Sequence, residues 1–503
     1  MNEFVVSLML LGALSTSGSL PYWATTGQWG LMPENNGSLM LLQAHTQFDT
    51  AKTFQWHWGA SLAANTYNNP LSAASSPLNF MLDELYVGAR WKVLRLDAGC
   101  FHRELDFMGA DSTLGSLSVT GGHLLESGNA RTMPGYLATL EPLAVPFTGE
   151  HLWIYGAWGD FKMTDLRYIN GPLVHRTRAG IRGDIGRLSL SLTLDHAAMW
   201  AGDLPDGSMP VTLDNYIRVV TGRSASASGS GADQLNVIGN QLGSELFKAE
   251  YKGEGWTAVL QHDIPYDDGS GMGFQNFPDG VNTLAFSFDD KDRLVSDIVL
   301  EYQYSLWQSG TCHDVPTTEE ERQHLDPSDE LHYWQHIYGG GDDYFNHEAG
   351  YLSGWTHYGR TIGNPLFLPA GTRAGTWTCA AVTMGLESNR LSAWHLGIGG
   401  KLFRRHPYRL MLTHSSNYGT YKVPYVGESI WGTPYTRKGM VEAMKAAGNL
   451  PLRQWCAAFN GTFTDLFSVR GLDAVYGLYV DAGSIFPNRF GTTLGIKYTL
   501  GRK

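Results

Sequence analysis

The stretch Arg187-Leu-Ser-Leu-Ser-Leu-Thr-Leu-Asp195 decides the fold. In an extended chain Leu188, Leu190, Leu192 and Leu194 point one way, and Ser189, Ser191 and Thr193 point the other. A period of two with one apolar and one small polar face is a β-strand with a greasy side and a wet side. The alternation recurs at Phe54–Leu62, Leu85–Val93, Trp153–Trp158, Phe247–Tyr251, Trp256–His262, Leu284–Phe288 and Ile298–Leu306. It returns at Trp394–Leu402, Tyr408–His414, Trp455–Phe463, Val475–Ala482 and Thr492–Leu500. Strands of about 9–11 residues cross a bilayer when tilted. Arg90 and Lys92 lie on the polar face of their segment, which suits a wet lumen. Asp206-Gly207, Asp279-Gly280, Gly399-Gly400 and Pro487-Asn488 supply turns between segments.

Composition points the same way. Charged residues make up 17%, against about 25% in ordinary soluble domains. Glycine contributes 60 of 503 residues, and Trp and Tyr number 16 and 24. Lipid-facing strands flanked by Trp and Tyr girdles have this profile. A large secreted β-rich enzyme would share part of it. No apolar run reaches the roughly 20 residues of a membrane helix. The expected fold is all-β: a transmembrane outer-membrane β-barrel of about 16–18 antiparallel strands with long extracellular loops. The apolar run Phe4–Leu14, followed by Ser-Thr-Ser-Gly-Ser19, reads as a signal peptide over residues 1–18, leaving 19–503 as one barrel domain. Glu3 stands where a leader carries a base, so part of a first strand is the other reading. A net charge of −12 argues against nucleic acid as a partner. Cys100, Cys312, Cys379 and Cys456 are scattered without a C-x-x-C pair, giving no zinc site and no evident disulfide framework. Cys312 lies in a polar loop open to solvent, and the others read as small packing residues. Ser224–Gly231 reads as a flexible loop.

The longest interruption spans residues 308–354. It carries Glu319-Glu-Glu321, Asp342-Asp343 and other acids around a lone base, Arg322, with interleaved aromatics and histidines. Long barrel loops face outward, so this loop is expected to be extracellular. Rings that stack on sugar faces, with carboxylates accepting hydroxyl hydrogen bonds, make a carbohydrate-binding surface. Trp334, Tyr338, Tyr344, Trp355 and Tyr358 are the stacking candidates; Asp342, Asp343, Asn346, His347 and Arg360 are the polar ones. A solvated acidic loop is the plainer alternative, and the reading that fits Glu319-Glu-Glu321 better. Asp342-Asp343 suit Ca²⁺ ligation better than glycosidase chemistry, because adjacent carboxylates rarely address one bond from opposite sides. His332 and His336 are the best-spaced histidine pair for a metal. No G-x-S-x-G, H-E-x-x-H, Walker A or G-x-G-x-x-G motif is present. No enzymatic activity and no obligatory cofactor or metal is expected.

Several segments carry a family resemblance: Leu20-Pro-Tyr-Trp23 with Gly30-Leu31; Glu126-Ser-Gly-Asn-Ala-Arg131 with Pro134; Gly239-Asn-Gln-Leu-Gly243; Asp343-Tyr-Phe-Asn-His347; Gly354-Trp-Thr-His-Tyr-Gly359; Ile362-Gly-Asn-Pro-Leu366; Trp394-His-Leu-Gly397; and Asn417-Tyr-Gly-Thr-Tyr421. In this order the chain resembles the capsule assembly Wzi family as it occurs in Bacteroidetes-type Gram-negative bacteria. The resemblance implies an outer-membrane barrel of about 18 strands that binds exopolysaccharide at the cell surface as a lectin. The short segment before Leu20 and the ending Gly501-Arg-Lys503 depart from that pattern, and the motifs suit structural roles about as well as ligand binding. The expected partners are a surface polysaccharide and outer-membrane lipid, with the chain monomeric. A porin or solute channel is the main alternative, and an outer-membrane hydrolase a lesser one.

Overall fold

Leu188–Trp200, the strand containing the deciding stretch, pairs antiparallel with Leu173–Ile185 on one edge and with Asn240–Lys252 on the other. The protein was studied as a computed structural model, which describes residues 4–46, 52–66, 78–103, 108, 113–204, 207–224, 237–267, 271–274, 276–308, 313–328, 333–338, 345–346, 350–373, 385–430 and 437–501. Eighteen such strands form one sheet: β1 (Phe4–Ser15), β2 (Gly37–Thr46), β3 (Phe54–Asn65), β4 (Asn79–Trp91), β5 (Leu94–Cys100), β6 (Gly135–Ala144), β7 (Leu152–Lys162), β8 (Leu173–Ile185), β9 (Leu188–Trp200), β10 (Asn240–Lys252), β11 (Trp256–Tyr266), β12 (Gly280–Phe288), β13 (Asp297–Tyr304), β14 (Arg390–Leu402), β15 (His406–Gly419), β16 (Leu452–Phe463), β17 (Leu472–Gly483) and β18 (Arg489–Leu500). Each pairs with its chain neighbours, and β1 closes the ring on β18 from Val6 opposite Leu500 to Ser15 opposite Gly491. Closure removes every sheet edge, which a span in lipid requires.

Connections alternate in length. At one end Lys92-Val93, Gly186-Arg187 and residues 253–255 are tight turns, and β1 begins and β18 finishes there. At the other end residues 16–36, 101–134, 201–239, 305–389 and 420–451 are long. Short turns face the periplasm and long loops the exterior in this architecture, so the long-loop end is the outer one.

The outer wall is apolar. Leu190 and Leu192 are exposed, as are Leu10, Leu284 and Leu494 on other strands. Aromatics ring both ends. Near the outer end Tyr302 lies 4.7 Å from Trp394 and Trp455 lies 4.5 Å from His414; near the periplasmic end Trp256 stacks on Phe286 at 5.2 Å and Phe463 lies 4.9 Å from Tyr476. On β16 the outward run from Trp455 to Phe463 is eight steps, roughly 26 Å along the strand at about 3.3 Å per residue. At a tilt of about 40° that run spans roughly 20 Å of height, most of the roughly 25 Å apolar band of such a barrel.

The apolar run Phe4–Leu14 lies in strand β1. Its outward face carries Phe4, Leu8, Leu10 and Leu14; its inward face carries buried Leu11 and Ala13. β2 has the same two-sided character, with Leu39 and Leu41 inward and Met40 and Leu42 outward. Both inner faces belong to an apolar cluster that also contains Leu20, Tyr22, Trp23 and Ala24. A strand that packs on an apolar plug loses its alternation and reads as a continuous apolar run.

Candidate functional site

Three long connections turn inward and plug the lumen. The first, residues 16–36, carries helix α1 (Tyr22–Thr25). The second, residues 101–134, carries helix α2 (Thr113–Leu117). The third enters from the outer end at residues 345–373. Loops inside a barrel must satisfy their backbone polar groups there, and inward acids of the strands do part of this. Glu301 on β13 accepts from the Ser118 hydroxyl at 2.6 Å and the Val119 N–H at 2.8 Å. Asp263 on β11 accepts the Leu124 N–H at 2.7 Å, and Asp481 on β17 accepts the Tyr22 N–H at 2.9 Å. His395 on β14 is within 2.7 Å of the Leu117 carbonyl.

The three segments also lock to one another. The Trp29 N–H donates to Gly128 O, the Ser127 N–H to Ile362 O at 2.9 Å, and the Asn364 N–H to Leu124 O at 3.0 Å. The Trp355 indole donates to Leu125 O at 2.9 Å, and Asn129 Nδ2 to Thr361 O at 3.2 Å. Loop 163–172 latches on from the side, where Arg167 donates to Thr356 O and Gly354 O at 2.9 and 3.2 Å. His357 is completely buried in this joint. Its Nδ1 donates to Arg131 O at 3.0 Å, and its Nε2 accepts the Thr164 N–H at 3.3 Å. That arrangement needs a neutral ring, and burial pulls its pKa down to about 4 despite Asp165 at 3.8 Å.

Outside the barrel mouth, His313–Pro316 and Gln335–Tyr338 form a small antiparallel hairpin. Helix α3 (Leu213–Val220) belongs to the 201–239 loop, and α4 (Glu319–Arg322) lies in the connection between the two hairpin strands. Thr318 and Glu321 form a reciprocal capping box at the start of α4. Thr317 clamps the hairpin, taking the Trp334 carbonyl with its N–H at 3.1 Å and the Tyr333 carbonyl with its hydroxyl at 2.7 Å. Trp334 is 60% exposed, with Tyr333 edge-on at 5.0 Å and the Arg322 guanidinium 5.3 Å from its ring centre. It is a large ring held in place and presented to solvent beside the exposed Glu319 and Glu320.

The residues expected at a sugar-binding site therefore separate. Trp334 stands open to solvent on the hairpin. Tyr338 ends one hairpin strand, and nothing is described of its side chain. Asp342, Asp343, Tyr344 and His347 lie outside the described residues, as do Cys312, Cys379, His332 and most of 224–231, while His336 is described in its backbone only. Trp355 is fully buried, with Arg176 5.3 Å from its ring centre, and braces the plug. Asn346 is turned inward, donating to Leu386 O and accepting its N–H. Arg360 pairs with Glu34. The Tyr358 ring is covered by Arg131 at 4.2 Å, and its hydroxyl donates to Thr164 O at 3.2 Å.

Sequence reasoning missed the plug contacts of 16–36 and 101–134. Their signal was available: Glu301, Asp263 and Asp481 are acids on inward positions of otherwise alternating strands. Among the described residues Asp83, Glu84 and His102 bring ligand-type atoms within 4.8 Å of one another. They satisfy each other: His102 bonds Asp83 at 2.7 Å, its N–H reaches Glu84 at 2.8 Å, and its ring stacks on Trp29.

No family model and no curated protein matches the chain. Solved structures do match in fold. Wzi of Escherichia coli, an outer-membrane protein described as a carbohydrate-binding β-barrel involved in group 1 capsule assembly, aligns over 99% of this chain and 84% of its own, with a TM-score of 0.52 and 13% identity. OccK5 (OpdH) of Pseudomonas aeruginosa aligns over 99% and 98% with a TM-score of 0.44 and 8% identity, and OpdK of the same species over 99% of each chain with 0.43 and 11%. At these identities the likeness is one of fold: the chain is a closed 18-stranded antiparallel barrel of the outer-membrane type.

Proposed function

We propose that this protein is a non-enzymatic surface lectin whose long-loop face holds exopolysaccharide and contributes to assembling or anchoring a capsule. The observation that carries the reading is the plugged lumen. Loops locked to each other and to the wall leave the outer rim as the surface on which a polymer is met. There the clamped, exposed Trp334 supplies a stacking face. Single contacts of this kind are weak, and a polymer with many repeats strengthens them through effective concentration. The acids around Trp334 favour a neutral glycan, or a charged one bridged by Ca²⁺. Fold likeness to a barrel described as carbohydrate-binding and capsule-related supports the same reading. Belonging to the Wzi family in its Bacteroidetes-type form, and acting as a monomer, are part of this proposal.

The test compares cells with and without the gene. Polysaccharide shed into the medium on deletion, and restored to the surface by the wild type, supports the role. Full surface retention after deletion overturns it. Planar-bilayer recording separates the porin alternative: a plugged lectin passes little current, whereas steady open-channel conductance favours a porin.

A further inference from the structure

Below the plug, on the periplasmic side, the inner wall of β5–β9 encloses a cavity of about 190 Å³. Its lining runs from Arg95 and Glu141, close to the short turns, up to Glu126 on the underside of the plug. Charge around it is unbalanced. Arg90 pairs with Glu141, Arg95 with Asp97, and Arg178 with Asp195, at 2.8, 2.8 and 2.7 Å. Arg103 and Arg176 then share a single carboxylate oxygen, Glu126 Oε1. Both of these side chains are nine-tenths buried. Removing a guanidinium from water without a full counter-charge is costly. Burial, with the like charge of Arg178 added, pulls Arg103 down to about 10.

Unused donors lie in the same place. Arg176 Nε and Nη2 and the Thr139 hydroxyl are buried without a hydrogen-bond partner, and both residues belong to the cavity wall. Two adjacent N–H groups of one guanidinium are the fork that takes an oxyanion through two parallel bonds.

We propose that this cavity is a binding site for one carboxylate or phosphate group, entering from the periplasmic side and held by the free edge of Arg176 and the Thr139 hydroxyl. The volume leaves room for about one sugar ring beside the anionic group, and Leu137, Leu140 and Tyr155 line the apolar side. Acidic monosaccharide units and sugar phosphates share this chemistry. The site is independent of the lectin surface, because no residue of the 313–338 hairpin contributes to it.

The test is calorimetric titration of the detergent-solubilised full chain at low salt with glucuronate, glucose 1-phosphate and glucose. Binding of either anion with no binding of glucose is expected; glucuronate alone assigns the carboxylate, and glucose 1-phosphate alone assigns the phosphate. Arg176→Gln is expected to weaken the anion at least tenfold and Thr139→Ala several-fold, with heat-modifiable gel mobility showing that each barrel is closed. If Arg176→Gln does not fold, Thr139→Ala decides. Trp334→Ala is expected to bind the anion as wild type does, which separates this site from the glycan face. The proposal is overturned if neither anion binds, if glucose binds equally well, or if Thr139→Ala leaves the affinity unchanged.

Discussion

Acidification tests the plug most directly, because His357 joins its 101–134 and 345–373 segments to the 163–172 loop. The folded ring is neutral, with a pKa of about 4 against an ordinary 6.5. Asp165 favours the charged ring, and the Arg131 and Arg167 guanidiniums disfavour it, but burial outweighs them. A released plug would titrate near the ordinary value, so between pH 6.5 and about 4 it binds a proton that the docked plug refuses. Docking is therefore undisturbed above pH 6.5, weakens as pH falls through that window, and has lost its full increment below about pH 4. At about 1.4 kcal/mol per pH unit, the full increment is about 3 kcal/mol. At pH 4.5 most of it is already lost, which shifts the opening equilibrium on the order of 50- to 100-fold. Hydrogen exchange of residues 350–368, corrected for intrinsic rates, should show that loss of protection between pH 7 and 4.5. In His357→Gln, which cannot charge, the pH dependence of this segment should flatten. Equal pH dependence in the two proteins, or none in the wild type, would refute the reasoning.

Other perturbations reach different parts of the molecule. Leu192→Arg places a charge on the lipid face of β9 and should cost about 2–4 kcal/mol near the bilayer midplane, read as a lower urea midpoint for folding into lipid. Glu301→Ala strips the Ser118 hydroxyl and Val119 N–H of their acceptor. Charged hydrogen bonds contribute about 1.5–3 kcal/mol each, so more frequent current openings in planar bilayers are expected; an unchanged closed record would count against the plug's reliance on wall acids. Trp334→Ala combined with Tyr344→Ala should lower glycan-array binding about tenfold, a stacking contribution of about 0.5–1.5 kcal/mol per ring. Full binding by that double variant would remove the hairpin from the site. If Ca²⁺ bridges an acidic glycan, chelation should abolish the same signal, and a neutral glycan should be unaffected.

The barrel was legible wherever one wall faces lipid and the other a polar lumen. β9, β14 and β16 show this with outward Leu, Trp and Phe set against small or polar inward residues. Five strands escaped. β1 and β2 are apolar on both faces because the plug covers their inner side. β8 is polar on its inner face through Arg176, Arg178 and Arg182 and carries His175 and Thr177 opposite, so it shows no apolar stripe. β5 is short and follows Lys92, whose φ of +54° makes the turn that divides it from β4; periodicity alone ran the first segment on to Val93. β6 breaks its register between Leu140 and Leu143. For β1 and β2 the cause is a neighbour on the inner face, and for β5 and β6 it is a turn and a register break, none of which the local pattern reveals.

The candidate site divides along the same line. Gly-, Asn- and ring-rich motifs look alike whether they meet a sugar or another loop, since both need turns, amide donors and flat apolar faces. Trp355, Asn346 and Arg360 meet the plug; Trp334 meets solvent. What distinguishes them is a partner elsewhere in the chain. Glu34 stands opposite Arg360, Leu386 opposite Asn346 and Leu125 opposite Trp355, whereas Trp334 is served by Arg322 and Thr317 from within its own hairpin. A ring held by local contacts alone leaves its open face to something outside the chain. On that argument the exposed hairpin, more than the motifs that carry the family resemblance, is where changes should alter what the protein binds, while changes in the motifs should alter whether the lumen stays shut.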